Sequence, residues 1–362
     1  MKDDFLSHAD AAQLNRNIVL HYIMDNEPVS RTDIWEAMSI SRASVTQIIR
    51  QLLEAGLVLE TDERRATAGR KQRYLRINRD ARRMFAFDWT GRLLCLVNMG
   101  GEILDRELLS FPTGNFTPTA FCAVLLDGLQ ALRKRHPELD NHKLDLGMAM
   151  PGNIDSRRNA VLYSVELGWR DIDLRRLFSG RYDGEVYAER MANMMVLGEL
   201  AADRKHASEH TTLVLLEKVG LGMAAIVHGN CQHGGNYMFG ELGHIKLPVD
   251  TYCSCGQRGC LEAVVKDLLM VNGGVIDAQI MDYIAIGVST AVNILDSDKV
   301  RLVGHLVEEM SFAQEEELRR LIVSKVSNER SRHLQVCMGG DYTELSIKGI
   351  SAHIFNQWYT LD

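Results

Sequence analysis

With 362 residues, 46% of them hydrophobic and 25% charged, the chain has the composition of an ordinary folded protein, too long and too poor in cysteine for a small disulfide scaffold. At about 150 residues per domain it should hold two or three domains. No stretch reaches the ~18 uncharged apolar residues of a membrane span. The N-terminus MKDDFLSHADAAQ puts acids where a secretion signal has bases and then an apolar run, so the expected compartment is the cytoplasm, with no membrane contact. The net charge of −7 argues against nucleic acid only for the whole chain: residues 1–80 carry twelve Lys/Arg against twelve Asp/Glu, and residues 64–79 carry seven bases and no acid. Such a run fits phosphate contacts and fits a solvated face equally well.

In chain order, Asp10 to Asp25 reads as a helix from the spacing of Leu14, Ile18 and Tyr22, and the segment NEPV stops it. Ser30 and Asp33 resemble a capping box opening a short helix to Met38, and Ser41 caps a third helix to Ala55 that buries Val45, Ile48, Ile49, Leu52 and Leu53, with Gly56 ending it. Two short helices around a tight turn make a helix-turn-helix. The outer face of the third helix carries Arg42, Ser44, Thr46, Gln47 and Arg50, side chains that reach bases or phosphates. Leu57–Leu59 and Tyr74–Ile77 read as strands flanking a basic loop, a wing in which Arg70 and Lys71 adjoin Gly69 and suit the minor groove. The competing reading is a small helical domain for protein contacts; helix order, polar face and basic wing together favour DNA.

Strands are expected at Arg83–Trp89, Leu93–Met99 and Glu102–Leu108, followed by a helix at Pro118–Lys134, a strand at Leu144–Met150, another helix and a strand at Gly184–Ala188. This βββαβαβ order indicates an α/β sheet. After a helix over Met191–Ala202, the hairpin Thr212–Val219 and Met223–His228 begins a second unit of the same kind, so a duplicated core with a cleft between its halves is expected from element order alone. Of seven cysteines, Cys253, Cys255 and Cys260 fall within eight residues, a clustering that favours metal over disulfides; Cys95, Cys122, Cys231 and Cys337 are scattered and read as small buried hydrophobes.

Glu241-Leu-Gly-His244 and Leu247, followed by Cys253-Ser-Cys-Gly-Gln-Arg-Gly-Cys260-Leu-Glu262, resemble the ROK family of sugar repressors and sugar kinases, whose GHxxL and CxCGxxGCxE positions are all filled. A winged helix in front is the arrangement of the family's repressors, such as those responding to xylose or N-acetylglucosamine. The resemblance implies an actin-like, RNase H-like ATPase-type core behind the winged helix-turn-helix. The domains expected are a DNA-binding domain over 1–79, a first α/β subdomain over 80–190 to which a C-terminal helix over 346–362 returns, and a second subdomain over 191–345 with the metal site and a dimer surface. It further implies structural Zn2+ on His244, Cys253, Cys255 and Cys260, a tetrahedral set with no open position. An effector sugar is implied at Gly152, Asn153, Glu166, Arg190, Glu241, His244 and Glu262.

Departures from the family pattern matter as much. Aligning Ala188-Glu-Arg-Met-Ala-Asn193 with the family's E-N-D-A-N puts Met191 at the catalytic aspartate and Arg190 at a sugar-binding asparagine, and a thioether cannot act as a general base. The family's phosphate loop D-x-G-G-T reads Asp88-Trp-Thr-Gly-Arg92, and its adenosine-side Gly-Gly reads Gly304-His305. The stretch from Glu262 to the helix at Asp282 is also short for the family. No catalytic residue is therefore assigned. Arg190 and Glu166, in place of neutral asparagines, suggest either an anionic sugar derivative or an ion pair within the pocket. The reading is a sugar-responsive transcriptional regulator, a repressor of carbohydrate genes, that binds a palindromic double-stranded operator as a homodimer or homotetramer and has no kinase activity. Its head would be moved through the linker at 78–83. The alternatives are a ROK sugar kinase carrying a DNA-binding head, and a regulator controlled by a protein partner, its sugar cleft vestigial.

Overall fold

The computed structural model describes residues 8–61, 73–111, 116–204, 210–218, 220–328 and 333–361. The head comprises α1 (His8–Asn26), β1 (Val29–Ser30), α2 (Arg31–Ala37), α3 (Arg42–Glu54), β2 (Val58–Thr61) and β3 (Tyr74–Ile77). Local chemistry fixes its bounds. Ser30 and Asp33 cap α2 reciprocally, Ser41 Oγ accepts from Ser44 N–H at the start of α3, and Gly56, at φ +69°, takes the left-handed position just beyond its end. Val45, Ile48, Ile49 and Leu52 of α3 pack with Val19, Leu20 and Ile23 of α1 and Leu75 of β3. The strands lie in the order β1-β3-β2; β1, two residues long, has no periodicity that sequence reading could detect. The ladder from Val58↔Ile77 to Thr61↔Tyr74 forms the base of the wing, while Arg70 and Lys71 lie outside the described residues.

The first lobe holds β4 (Arg83–Asp88), β5 (Leu93–Asn98), β6 (Ile103–Leu108), α4 (Pro118–Arg135), β7 (Leu146–Met150), β8 (Asn153–Asp155), β9 (Ala160–Ser164), β10 (Trp169–Asp173), α5 (Leu174–Phe178) and β11 (Val186–Arg190). Its main sheet runs β6-β5-β4-β7-β11, antiparallel across β4-β5-β6 and parallel across β4-β7-β11. The helix expected between β7 and β11 shrinks to the five residues of α5, because a separate three-stranded sheet, β10-β9-β8, fills most of that stretch. Its strands are too short to show alternation, and the chain turns between them with Asn159 in left-handed conformation.

The second lobe contains α6 (Met191–Ala202), β12 (Thr211–Glu217), β13 (Gly220–Val227), β14 (Asn230–Cys231), α7 (Leu261–Val271), α8 (Ala278–Leu295), β15 (Lys299–Val303), α9 (His305–Glu308), α10 (Phe312–Lys325) and β16 (Gln335–Met338), and α11 (Tyr342–Trp358) closes the chain. The order β14-β13-β12-β15-β16 repeats the first sheet strand for strand, with the same antiparallel and parallel halves. The core is therefore a duplicated α/β fold. Helix α8 is long and apolar enough to cross a membrane by length and composition, and it buries Ile280, Ile284, Val288 and Val292 in the core of this lobe.

Helix α11 returns to the first lobe, laying Ile347, Ile350 and Ile354 on Met84, Ala86 and Ala149, and it begins at Tyr342, ahead of the expected 346. It crosses α6 with backbones in contact: a Cβ on Gly349 would stand 1.7 Å from Met194 O, and one on Gly198 would stand 1.8 Å from Leu345 O. At its far end Phe355 and Tyr359 join the head's core beside Val19 and Ile23. Asn17 Nδ2 donates to Thr360 O at 2.9 Å, His21 Nε2 lies 2.7 Å from Tyr359 O, and Arg204 pairs with Asp25 at 2.6 Å. The head is thus seated on α6 and α11 as well as tethered by the linker.

Candidate effector cleft and metal centre

The chain after β14 turns back through Glu241–His244 and then folds a knuckle in which Lys246 bridges Cys260 and Tyr252 bridges Arg258. Gly259 sits at φ +72° where a side chain would strike Leu247 O at 2.6 Å, so only glycine permits this turn. The result brings His244, Cys253, Cys255 and Cys260 together, their ligand atoms all within 4.8 Å of one another. Cys255 and Cys260 sulfurs are 3.7 Å apart and Cys253 Sγ is 3.9 Å from His244 Nδ1. The sulfur–sulfur separation matches the edge, about 3.8 Å, of a tetrahedron with ~2.3 Å metal–sulfur bonds, and the sulfur–nitrogen separation is somewhat longer than the ~3.5 Å that a ~2.0 Å metal–nitrogen bond gives. The sulfur–sulfur separation excludes a disulfide, whose sulfurs lie at about 2.05 Å. Burial pushes the Cys253 thiol up to about 12, and it donates to Glu262 Oε1 at 3.4 Å. Lys246 Nζ lies 3.0 Å from Cys260 Sγ, a cation beside the sulfurs. The cluster thus fits a soft divalent cation that replaces thiol protons.

His244 links this cluster to the cleft. Its Nδ1 faces Cys253 and Glu262, while Nε2 lies 3.7 Å from Glu241 Oε2, leaving that edge for a hydroxyl-bearing ligand. Glu241, His244 and Glu262 are all partly exposed and converge. Arg190, at the end of β11, reaches across from the first lobe: its guanidinium donates to Phe239 O and, at 3.5 Å, to Met223 O, and lies 3.8 Å from Glu241 Oε1. Gly152 and Asn153 follow the neighbouring strand, in which Met150 pairs with Arg190, and Gly152 takes φ +100° against Tyr163 O. These residues stand beyond the carboxyl ends of parallel strands, the usual ligand position in such sheets.

Glu166 departs from the expected grouping with Arg190. It accepts from the Trp89 indole at 2.6 Å and lies 3.8 Å from Arg92, whose guanidinium stacks 3.3 Å above the Trp89 ring. The Arg190 guanidinium is directed at Phe239 O, Met223 O and Glu241 rather than at Glu166 or Glu189, whose side chain accepts instead from the Arg190 backbone N–H. Arg92, in left-handed conformation at φ +52°, thereby closes the loop that corresponds to the family's phosphate loop with the chain's own side chains. Met191 sits beside that loop and accepts from Thr90 Oγ1 at 3.1 Å through its sulfur. His305, after Gly304, is 2.5 Å from Glu217.

On the head, Arg42, Ser44, Thr46, Gln47 and Arg50 are all exposed along one side of α3. Arg42 stacks 4.0 Å over Trp35, Thr46 donates to Arg42 O at 2.9 Å, and Arg50 lies 3.7 Å from Glu54. Sequence reading missed Arg92 as an occupant of the cleft, and it missed Glu189 and His233, which join the two lobes at 2.7 Å. For Arg92 the signal was present, a base where the family has a hydroxyl; for His233 there was none.

Fold and site together define a two-lobed α/β clamp with a Cys3His knuckle at its cleft and a winged-helix head docked on its closing helices. The ROK family profile matches residues 90–268 and the MarR family profile matches residues 18–71. The chain therefore carries a ROK family domain behind a MarR-type winged-helix head. It is 27% identical over 269 residues to the xylose repressor of Caldicellulosiruptor bescii, covering 74% of this chain and 67% of that protein. Among solved structures, a ROK family transcriptional regulator described as a homologue of the Escherichia coli MLC protein superposes with a TM-score of 0.79 at 19% identity, over 96% of this chain and 97% of the other. The ROK hexokinase of Thermus thermophilus aligns with 75% of this chain and 98% of its own at TM-score 0.59 and 20% identity, so kinases share the core fold.

Proposed function

We propose that the protein is a sugar-responsive, DNA-binding transcriptional repressor of carbohydrate genes, without phosphoryl-transfer activity. The observation that carries this reading is the joining, in one chain, of a bare polar face on α3 to a sugar-type cleft whose general-base position holds Met191. Arg42, Ser44, Thr46, Gln47 and Arg50 enter the major groove, and Arg70 and Lys71 of the wing reach the minor groove. Two heads, from a homodimer or homotetramer, read the half-sites of a palindrome. The effector lies among Gly152, Asn153, Glu241, His244 and Glu262. With Arg190 spent on two carbonyls and Glu241, the remaining charge at the cleft is that of the Glu241 and Glu262 carboxylates, which suits the hydroxyls of a neutral sugar better than an anionic derivative. Glu166 lines the same cleft through Trp89 and Arg92. Zinc on His244, Cys253, Cys255 and Cys260 has a structural role: it fixes the imidazole whose other edge meets the sugar.

A thermal-shift panel of free sugars, sugar phosphates, sugar acids and ATP tests the cleft, because a ligand of the native state at a hundredfold excess over its Kd adds ~2.7 kcal/mol. Stabilisation by one neutral sugar, with weaker operator binding in its presence, is expected. Stabilisation by sugar acids alone would return Arg190 to ligand contact. Robust ADP release from ATP and any sugar would overturn the repressor reading in favour of a kinase.

A further inference from the structure

We infer that Glu189 and His233 form a positioning pair that clamps the loop bearing Glu241 onto the first lobe, and that loss of the His233 proton releases this loop. The inference rests on the reading of Glu241 as an effector contact. Glu189, at the end of β11, is 1% exposed and faces the loop that follows β14. One of its oxygens accepts from Arg190 N–H at 2.7 Å and Asn193 Nδ2 at 2.9 Å; the other lies 2.7 Å from His233 Nε2. The backbone of Cys231, beside the ring, also favours its protonated form. A buried carboxylate 2.7 Å from Nε2 favours the imidazolium, whose charge offsets the cost of burying Glu189. Neutral His233 would leave the buried Glu189 carboxylate without its countercharge.

The remaining groups around the ring agree with this. Tyr237 packs against it with centroids 6.1 Å apart, close to Asp155, while Arg157 opposes the charge from the turn after β8. Behind Glu189, His353 of α11 is half-buried, and burial lowers its pKa below the ordinary 6.5, which disfavours a second cation there. The bond to Glu189 raises His233 above its ordinary 6.5. Burial alone would raise Glu189, but the bond and charge of His233 bring it below its ordinary value. The clamp therefore holds from above the Glu189 pKa to below the His233 pKa and opens as pH rises through the latter. Glu189 and its neighbour Arg190, which donates to Phe239 O, grip the same loop from adjacent positions. The loop ends in Glu241, so its release displaces a carboxylate of the cleft.

The test is made on the full chain, zinc-loaded, with the His233→Gln variant beside it. Histidine side-chain nitrogen NMR should show both ring nitrogens of His233 protonated at about pH 6.5, and a neutral ring there would overturn the proposal. Amide exchange at Phe239, whose N–H bonds His233 O at 3.2 Å, should accelerate as His233 deprotonates and be fast at every pH in His233→Gln, with β12 amides unchanged. Protection at Phe239 that ignores both pH and the substitution would also overturn it. D-xylose and N-acetyl-D-glucosamine serve as probes of affinity, expected to weaken about fivefold or more across the same pH step. If neither sugar binds at any pH, the effector reading fails there, while the ring and loop measurements still decide the clamp.

Discussion

Asp88 ends β4 with no exposed surface; Oδ2 accepts from Gly91 N–H at 2.6 Å, and Oδ1 has no partner among the described residues. Burial pushes its carboxyl up to about 6. A carboxyl that binds its proton more tightly when folded favours the native state below the unfolded pKa of about 4, and this contribution is lost as pH climbs to about 6. At neutral pH the buried anion therefore costs on the order of 2–3 kcal/mol. Asp88→Asn keeps an acceptor for Gly91 and removes the charge. Its Tm should exceed that of the unsubstituted protein at pH 8, and the gain should vanish near pH 4; an equal gain at both would show that ionisation is not the cause. The knuckle gives a second prediction at this scale. Cys260 is fully buried with Lys246 at 3.0 Å, so Cys260→Ser should abolish zinc retention after dialysis and lower Tm by as much as chelation lowers it in the parent, both read by metal analysis and calorimetry.

At the scale of elements, the crossing of α6 and α11 has no side chain to give way. Gly349 faces the carbonyl of Met194, and Gly198 faces that of Leu345, each too close for any Cβ. Gly349→Val must force the helices apart over a seam that includes Ile347, Ile350 and Ile354. It should cost about 3 kcal/mol or more, read by denaturant unfolding, whereas Gly273→Ala, in open space though at φ +63°, should cost clearly less. A loss at Gly349 no larger than that at Gly273 would mean that the helices part freely. The same elements show which features were legible in sequence. The caps of α2 and α3, the buried stripe of α3 and the fixed cysteines and glycines of the knuckle are local in the chain, so spacing alone exposed them. What was hidden depends on contacts distant in sequence: Glu166 meets Arg92 and Trp89 instead of Arg190, and Glu189 meets a histidine from the other lobe. The β8–β10 sheet was misread as helix because strands this short carry no period.

For the whole molecule, the seating of the head decides how a change in the cleft reaches DNA. Asn78 Nδ2 donates to Gly56 O at 2.7 Å, and Met99 N–H bonds Arg79 O and Arg82 O, so the linker is held on both sides rather than free. The larger anchor is the tip of α11, where Phe355 and Tyr359 enter the head's core and His21 meets both the Tyr359 carbonyl and the Phe355 ring. Helix α6 begins beside Arg190 at the cleft and ends at Ala202, two residues before Arg204, which pairs with Asp25 of the head. One packed pair of helices thus spans from cleft to head, and a change in lobe closure that shifts α6 must move α11 with it, because their backbones touch. Phe355→Ala removes a wholly buried ring from the seat and should cost about 3–5 kcal/mol. Part of that loss should appear as release of the head rather than global unfolding, seen as a larger radius of gyration in solution scattering with β12 amides still protected. Burial holds His21 below its ordinary 6.5, so docking is favoured above that value and weakens as pH falls through the lowered pKa. Acid should therefore expand the parent protein toward the Phe355→Ala dimensions. In the variant, operator binding should persist while its response to sugar is lost; a response of parental size would show that the linker, and not the helix pair, carries the signal.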